Sequence, residues 1–330
     1  MFDKIVIVTR KTRLQELIER FNTRGQAKFY IEHSGGNFSD YAQEDDSYNR
    51  ALDGIRRSLN FGLKIQFIDR SFLPTYLFTN TDLIIALGQD GLVANTAKYV
   101  GEQPILGVNP DPMRYDGVLV PLQVIDCKHQ VDLVLNDKAT FAPVTLAQAE
   151  LNDGQKLLAF NDMFIGVSSH VSARYQLSFD GKSEPQSSSG IIVATGAGST
   201  GWLSSVFNMV GSLNHFFGAA ENPRLKLDWD AQSLMFVVRE PFVSKHSAAS
   251  VVTGMIDGNT TLILESRMPS GGIIFSDGVE SDFLTFNSGS IATIGVADKQ
   301  ARLVVPGGRN NTLAAARNSS FRLHQTASWL

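Results

Sequence analysis

The sequence predicts an α/β protein with a β-rich second half: an N-terminal open, Rossmann-like α/β domain followed by a C-terminal domain of β-sandwich type. Three observations predict it. Over the first 122 residues, apolar runs of strand length alternate with helical patterns, the order that builds an open parallel sheet. One of these runs, Thr81 to Leu87, is apolar nearly throughout, as a strand buried on both faces must be. After Pro121 the chain turns to short strand-like runs parted by Asp180-Gly181, Asp257-Gly258, Asp277-Gly278 and Ser288-Gly289, the spacing of a sandwich. With 330 residues there is length for two domains, and 43% hydrophobic against 19% charged residues supplies two cores.

Lys4 to Val8 reads as the first strand. Thr12 then caps a helix whose apolar positions are Leu14, Leu17, Ile18 and Phe21. A short strand is expected around Lys28 to Ile31. The polar stretch from His33 to Asp46, rich in Gly, Ser and Asp, reads as a long surface loop. A helix from Tyr48 to Asn60 and a strand from Lys64 to Ile68 precede the apolar strand, and a helix through Leu92 to Val100 follows it. Beyond a helical pattern at His129 to Leu135, strands are expected at Leu157–Val167, Ala173–Phe179, Gly190–Thr195, Leu234–Val238, Val251–Ile256, Thr261–Glu265, Gly272–Phe275, Phe283–Phe286 and Ile291–Val296. One helix, about Ser199 to Phe217, interrupts them. The expected boundary lies between residues 122 and 123, with the β-rich unit running to 300.

Several classes of function are excluded. The 29 basic and 33 acidic residues give a net charge of −4, which argues against nucleic acid as a partner. No apolar run reaches the roughly 20 residues of a membrane helix, so no membrane partner is expected. The single cysteine, Cys127, allows no internal disulfide and no thiolate metal site. The six histidines form no i, i+4 pair, so no metal ligands are assigned. The chain opens on a strand with no signal-like or transit-like segment before it, and a cytoplasmic location is expected. The Ser187-Ser188-Ser189 run and the Arg56-Arg57 pair are expected to be solvated.

Three motifs carry chemistry. Gly88-Gln89-Asp90-Gly91-Leu92 sits where the apolar strand ends and a helix begins. In open α/β sheets that is where ligands bind, and glycines there admit a phosphate to the free N–H groups of the helix N-terminus. Asp90 at the mouth could act as a general base; a plain turn with Asp90 as helix cap is the alternative. Thr195-Gly196-Ala197-Gly198-Ser199-Thr200-Gly201-Trp202 again joins a strand to a helix. Its Gly196, Gly198 and Gly201 satisfy G-x-G-x-x-G, but in a β-rich setting with no acidic residue closing a strand about 20 residues on, as the dinucleotide fingerprint requires. Hydroxyls on a tight turn can serve a ribose, amide or phosphate, and a simple Gly/Ser turn is the alternative. Asn161-Asp162 interrupts an apolar strand. Asn can pair with an adenine edge and Asp with ribose hydroxyls; a bulge or strand end is the alternative.

In order and spacing, these three motifs resemble the NAD kinase family, whose hallmarks are a G-G-D-G-T loop, an Asn-Glu pair and a T-P-T-G-S-T-A-Y-like loop. Val8-Thr9-Arg10-Lys11-Thr12-Arg13, Ile105 to Pro112, Ser187 to Gly190, Arg239-Glu240-Pro241 and Phe286 to Ala292 are similar to the mitochondrial-type branch. The resemblance covers nearly the whole chain. It implies transfer of the ATP γ-phosphoryl group to the 2′-hydroxyl of the NAD adenosine ribose, with Mg²⁺ on the triphosphate. Asp90 would be the general base, with Gly88 and Gly91 beside phosphate. Asn161 and Asp162 would position the adenosine half of NAD. Thr195, Ala197, Gly198 and Ser199 would line its pocket, with Asp277 as a further cofactor-binding candidate. The resemblance also implies a homodimer or homotetramer and a C-terminal segment, residues 301–330, that returns to the first domain. A nucleotide-binding regulator of the same fold, or a lipid or sugar kinase of the same superfamily, is the alternative.

The chain departs from the family pattern at four places. Gln89 replaces a glycine and Leu92 a threonine, Asp162 shortens a glutamate, and Gly196-Ala197 replaces Pro-Thr. If position 89 needs φ > 0, its side chain costs about 1–3 kcal/mol.

Overall fold

The computed structural model describes residues 2–219 and 225–306; the expected return of residues 307–330 lies outside them. The first half runs β1 (Lys4–Thr9), α1 (Arg13–Phe21), α2 (Arg24–His33), α3 (Phe38–Ser58), β2 (Lys64–Asp69), β3 (Asp82–Leu87), α4 (Asp90–Tyr99), β4 (Pro104–Asn109), β5 (Leu122–Gln123) and α5 (Val124–Leu135). Strands β6 (Thr140–Leu151), β7 (Lys156–Ala159), β8 (Asp162–Val167), β9 (Ala173–Phe179), β10 (Lys182–Ser188) and β11 (Ile191–Ala194) follow. Then come α6 (Trp202–Phe216), β12 (Ser233–Val238), β13 (Thr253–Asp257), β14 (Leu262–Ser266), β15 (Gly272–Ser276), β16 (Val279–Thr285) and β17 (Ile291–Val305).

Strands β2, β1, β3 and β4 lie side by side and parallel. β3 and β4 are buried at every position, which is what the apolar run of β3 requires. Helices cover both faces: α4 packs over one cluster with Val6, Ile84 and Ile105, while α3 and α5 pack over the other with Ile7, Ile85 and Val108. Cys127 on α5 is fully buried there, and burial pushes its thiol up to about 12. It is a packed apolar residue.

The β-rich half is built from two sheets packed face to face. Strands β13-β12-β11-β8-β15-β16 form a six-stranded antiparallel sheet. Its inner residues Ile165, Val193, Phe236 and Ile274 meet Ala149, Tyr175, Leu264 and Ile294 of the opposing sheet in one core. That opposing sheet is continuous with the parallel one. Along β17, residues 291–294 pair with β14, and Arg302 and Leu303 pair in parallel with Pro104 and Ile105 of β4. A single 15-residue strand thus joins the two halves.

Several sequence expectations need correction. Lys28–Ile31 belongs to α2, not to a strand: Thr23 caps the helix, and Ala27 and Ile31, one turn apart, face Leu14. Most of the stretch read as a loop is helix, because Asn37 caps α3 at Phe38. Two of its four acidic residues, Glu44 and Asp45, are buried against the turn from β1 into α1, while Asp40 and Asp46 are exposed. Glu44 (2% exposed) takes Arg10 at 3.0 Å and Arg13 at 2.5 Å, and Asp45 accepts the Thr12 hydroxyl at 2.6 Å. The run Leu157–Val167 is two strands, broken at Phe160-Asn161. Ser188 is buried, with its hydroxyl 2.6 Å from that of Tyr175, whereas Arg56 and Arg57 are exposed as expected. Strands β4, β5, β6 and β10 were not foreseen.

Candidate functional site

β3 ends at Leu87, and the chain turns through Gly88 and Gln89 into α4. A Cβ on Gly88 would lie 2.8 Å from the Leu92 side chain, whereas Gly91 is open and exposed. Leu92 is buried in the cluster beneath α4, so its side chain serves packing. Gln89 has φ −98° and ψ 172° and is the N-cap residue, with no capping bond from its side chain. The backbone at position 89 therefore requires no glycine, and the strain tied to a positive φ there is absent. Asp90 is the first residue of α4 and does not cap it. Its carboxylate accepts the backbone N–H of Leu119 at 2.9 Å and of Val118 at 3.1 Å, from the loop after β4. On the other side of the turn, the Tyr48 hydroxyl accepts the Arg10 N–H at 2.9 Å and donates to the Leu87 carbonyl at 3.2 Å. The ends of β1, β3 and β4 are thus tied together around Asp90.

The second motif is fixed by close backbone approach. A Cβ on Gly196 would lie 1.9 Å from the Asp228 carbonyl oxygen, and one on Gly198 1.9 Å from that of Asn161. Thr195 and Ser199 are buried with their hydroxyls committed inward: Thr195 donates to Phe160 O at 2.5 Å and accepts from Gly198 N–H at 3.2 Å, while Ser199 donates to Gly196 O at 2.7 Å. They build the loop. Ala197 belongs to the same apolar cluster as Leu92, Ala94 and Phe160. Gly196 and Gly198 are packing requirements here.

The third motif lies in the break between β7 and β8, against Thr195 and Gly198. The Asn161 side chain makes no hydrogen bond among the described residues and is half-buried. Its backbone N–H donates to the Asp277 carboxylate at 2.6 Å; those of Phe160 and Asp162 do so at 2.9 and 3.4 Å. Asp277 sits at φ 53°, at the β15–β16 turn. Burial raises its carboxyl against the pull of Lys98 and of the three N–H groups. Asp162, close to that carboxylate, is pushed up to about 7 by burial and by Asp277, so near neutrality a large share of it carries a proton and can donate.

Sequence reasoning missed the group that joins these motifs. Lys98 of α4 is buried; its Nζ donates to Ser276 Oγ at 3.0 Å and lies 3.7 Å from Asp282 Oδ2, which also accepts the Tyr99 hydroxyl. Its only sequence signal is a lysine within the apolar run of α4. A cavity of about 320 Å³ opens beyond β4 and β5, lined by Ser47, Arg50, Asn109 and Gln123 among others, but by none of the predicted site residues. No cluster of three or more potential metal-binding side chains occurs among the described residues. No helix among them is long and apolar enough to cross a membrane.

No family model matches the chain. Among curated proteins it is 22% identical to the NAD kinase 2, mitochondrial, of Xenopus tropicalis, over 92% of this chain and 90% of that protein. It is 25% identical to the human NAD kinase 2, mitochondrial, over 60% of this chain and 57% of that one. It is 28% identical to the NAD kinase of Clostridium kluyveri, over 47% of this chain and 60% of that one. The matched segment thus spans somewhat over half the length of the last two relatives. Among solved structures, the fold is similar to an NAD kinase from Archaeoglobus fulgidus in complex with ATP, with TM-score 0.57 at 15% identity over 96% of this chain and all of that one. It is also similar to yeast NADH kinase complexed with NADH, with TM-score 0.55 at 16% identity over 98% and 90%. The sequence relatives support the NAD kinase family, and the solved structures show that the fold is shared.

Proposed function

We propose that this chain is an NAD kinase, transferring the γ-phosphoryl group of MgATP to the 2′-hydroxyl of the NAD adenosine ribose. The observation that carries the reading is the meeting of the motifs on one helix: α4 presents Asp90 at its N-terminus and reaches the Asp277 turn, which holds Asn161 and Asp162, through Lys98 near its other end. In the reaction the 2′-oxygen attacks the γ-phosphorus, the bond from phosphorus to the β–γ bridging oxygen breaks, ADP leaves, and the hydroxyl proton passes to Asp90. Gly91, open and exposed, leaves the backbone N–H groups at the start of α4 accessible to phosphate, while Gly88, buried against Leu92 with its own N–H donated to the Val108 carbonyl at 3.1 Å, shapes the turn behind them. Asn161 offers an unspent amide to the adenine edge, and Asp162 in its protonated form can donate to a ribose oxygen. Thr195, Ala197, Gly198 and Ser199 hold the wall behind them, and Asp277 fixes their turn. Mg²⁺ enters on the triphosphate and its waters, as part of the substrate.

We also propose a homo-oligomer, since Met209, Leu213, Phe216 and Phe217 of α6 and its end are exposed and offer an apolar face to a second copy; light scattering of the full chain tests it. The kinase reading is tested by incubating the protein with ATP, Mg²⁺ and NAD and reading NADP with an NADP-specific dehydrogenase. NADP that accumulates with wild type and is lost with Asp90→Ala supports it. Stabilisation by NAD or NADP without turnover would assign the chain to a silent nucleotide-binding relative, and phosphorylation of a lipid or sugar without NADP to another acceptor.

A further inference from the structure

Helix α4 is held at both ends by other parts of the chain. At its N-terminus the Asp90 carboxylate takes two N–H groups of the loop after β4. At its C-terminus Lys299 of β17 donates to the carbonyls of Lys98 and Val100, at 3.2 and 2.7 Å, where a cation also suits the helix dipole. The Lys98 side chain leaves the helix in the other direction, to Ser276 and Asp282. Ser276 Oγ in turn donates to Leu158 O at 2.7 Å, just before the turn that bears Asn161. The next residue, Asp277, accepts the N–H groups of Phe160, Asn161 and Asp162.

We propose that Lys98 is a positioning residue for NAD: through Ser276 and Asp277 it sets the Asn161–Asp162 turn relative to Asp90. The inference rests on the kinase reading above and adds to it the link between base and acceptor site. A buried ammonium is a costly way to fill space, and an apolar residue would pack α4 against β15 and β16 at less expense. What the charge provides is a counterion where carboxylates crowd. The ionisable groups gathered here are Lys98 and Tyr99 from α4, Asp162 from β8, Asp277 from the β15–β16 turn and Asp282 from β16, three carboxyls to one lysine. An ionised Asp277 accepts three N–H groups; a protonated one is a weaker acceptor and the turn loosens. Burial raises Asp277 and Lys98 opposes that rise, so the lysine favours the charged form of the anchor.

The experiment compares full-length wild type, Lys98→Met and Lys98→Arg, with folding followed by thermal melts. Lys98→Met is expected to raise the KM for NAD by about tenfold or more while the KM for ATP moves less than about twofold. The acid limb of kcat/KM for NAD should shift to higher pH, and Lys98→Arg should recover part of the loss. A folded Lys98→Met with unchanged KM for NAD and an unchanged pH profile overturns the inference. If Lys98→Met does not fold, Ser276→Ala removes the relay and keeps the lysine; a raised KM for NAD supports the inference and an unchanged one overturns it. If wild type makes no NADP, the kinase reading fails by itself. Calorimetric titration with NAD then decides: binding weakened in Lys98→Met supports the positioning role, and equal or undetectable binding in wild type and variant overturns it.

Discussion

Asp90 accepts from two backbone donors, so Asp90→Asn does more than remove a base. An amide keeps one acceptor and turns its NH₂ toward the other N–H. We predict that Asp90→Asn lowers turnover about 10²–10⁴-fold and also costs about 1–3 kcal/mol of stability, seen as a lower melting temperature. Rates must therefore be compared well below the variant's melting point. Gln89 carries the opposite lesson. Its extended backbone means that Gln89→Gly releases no strain and should change stability by no more than about 0.5 kcal/mol; a change in ATP affinity would then come from space at the phosphate and not from the fold. Leu92→Thr, the other step toward the family pattern, exchanges a buried core side chain for a smaller polar one and should cost about 2–4 kcal/mol by chemical denaturation.

At the scale of elements, the two glycine turns differ although the sequence presents them alike. Gly91 is open on all sides, while Gly196 and Gly198 lie against carbonyl oxygens. Gly91→Ala should leave the melting curve nearly unchanged. Gly198→Ala forces apart the Asn161 and 195–199 backbones and should cost on the order of 3 kcal/mol, with loss of NAD binding among the molecules that still fold. This distinction was not legible in sequence, since a G-x-G pattern does not say what the glycines face. The apolar strands β1 and β3 and helix α4 were legible because propensity, pattern and burial agree along them. Helix α2 and the start of α3 were not: Glu44 and Asp45 look like solvent residues, and only their partners Arg10, Arg13 and Thr12, more than 30 positions away in sequence, explain their burial. β6 and β10 were missed for a related reason, since β6 carries a proline and glutamine and β10 is largely polar.

Across the whole molecule, opposed carboxyl groups set the response to pH. Asp162 keeps its proton in the native chain up to about 7, whereas the unfolded chain releases it near pH 4. The native state then binds more protons between those values, so this group's contribution to stability falls as pH rises through that window. Glu44 acts with the other sign: burial works against its charge, but hydrogen bonds from Arg13 and Arg10 overcome that and hold it below the ordinary carboxylate value, so its contribution is lost as pH falls through its native pKa. We predict that Asp162→Asn lessens the decline in denaturation midpoint between about pH 5 and 7.5 relative to wild type. The candidate site was legible as three motifs in order; its assembly was not, because Lys98, Ser276 and Asp282 have no motif of their own and gain meaning only where α4 meets β15 and β16. We propose that the three motifs together form one phosphoryl-transfer site. The most direct test is ³¹P NMR of the purified chain turning over ATP, Mg²⁺ and NAD. A growing 2′-phosphomonoester resonance of NADP matched by ADP is expected; ATP that persists unchanged, or that yields only inorganic phosphate, would rule out phosphoryl transfer to NAD.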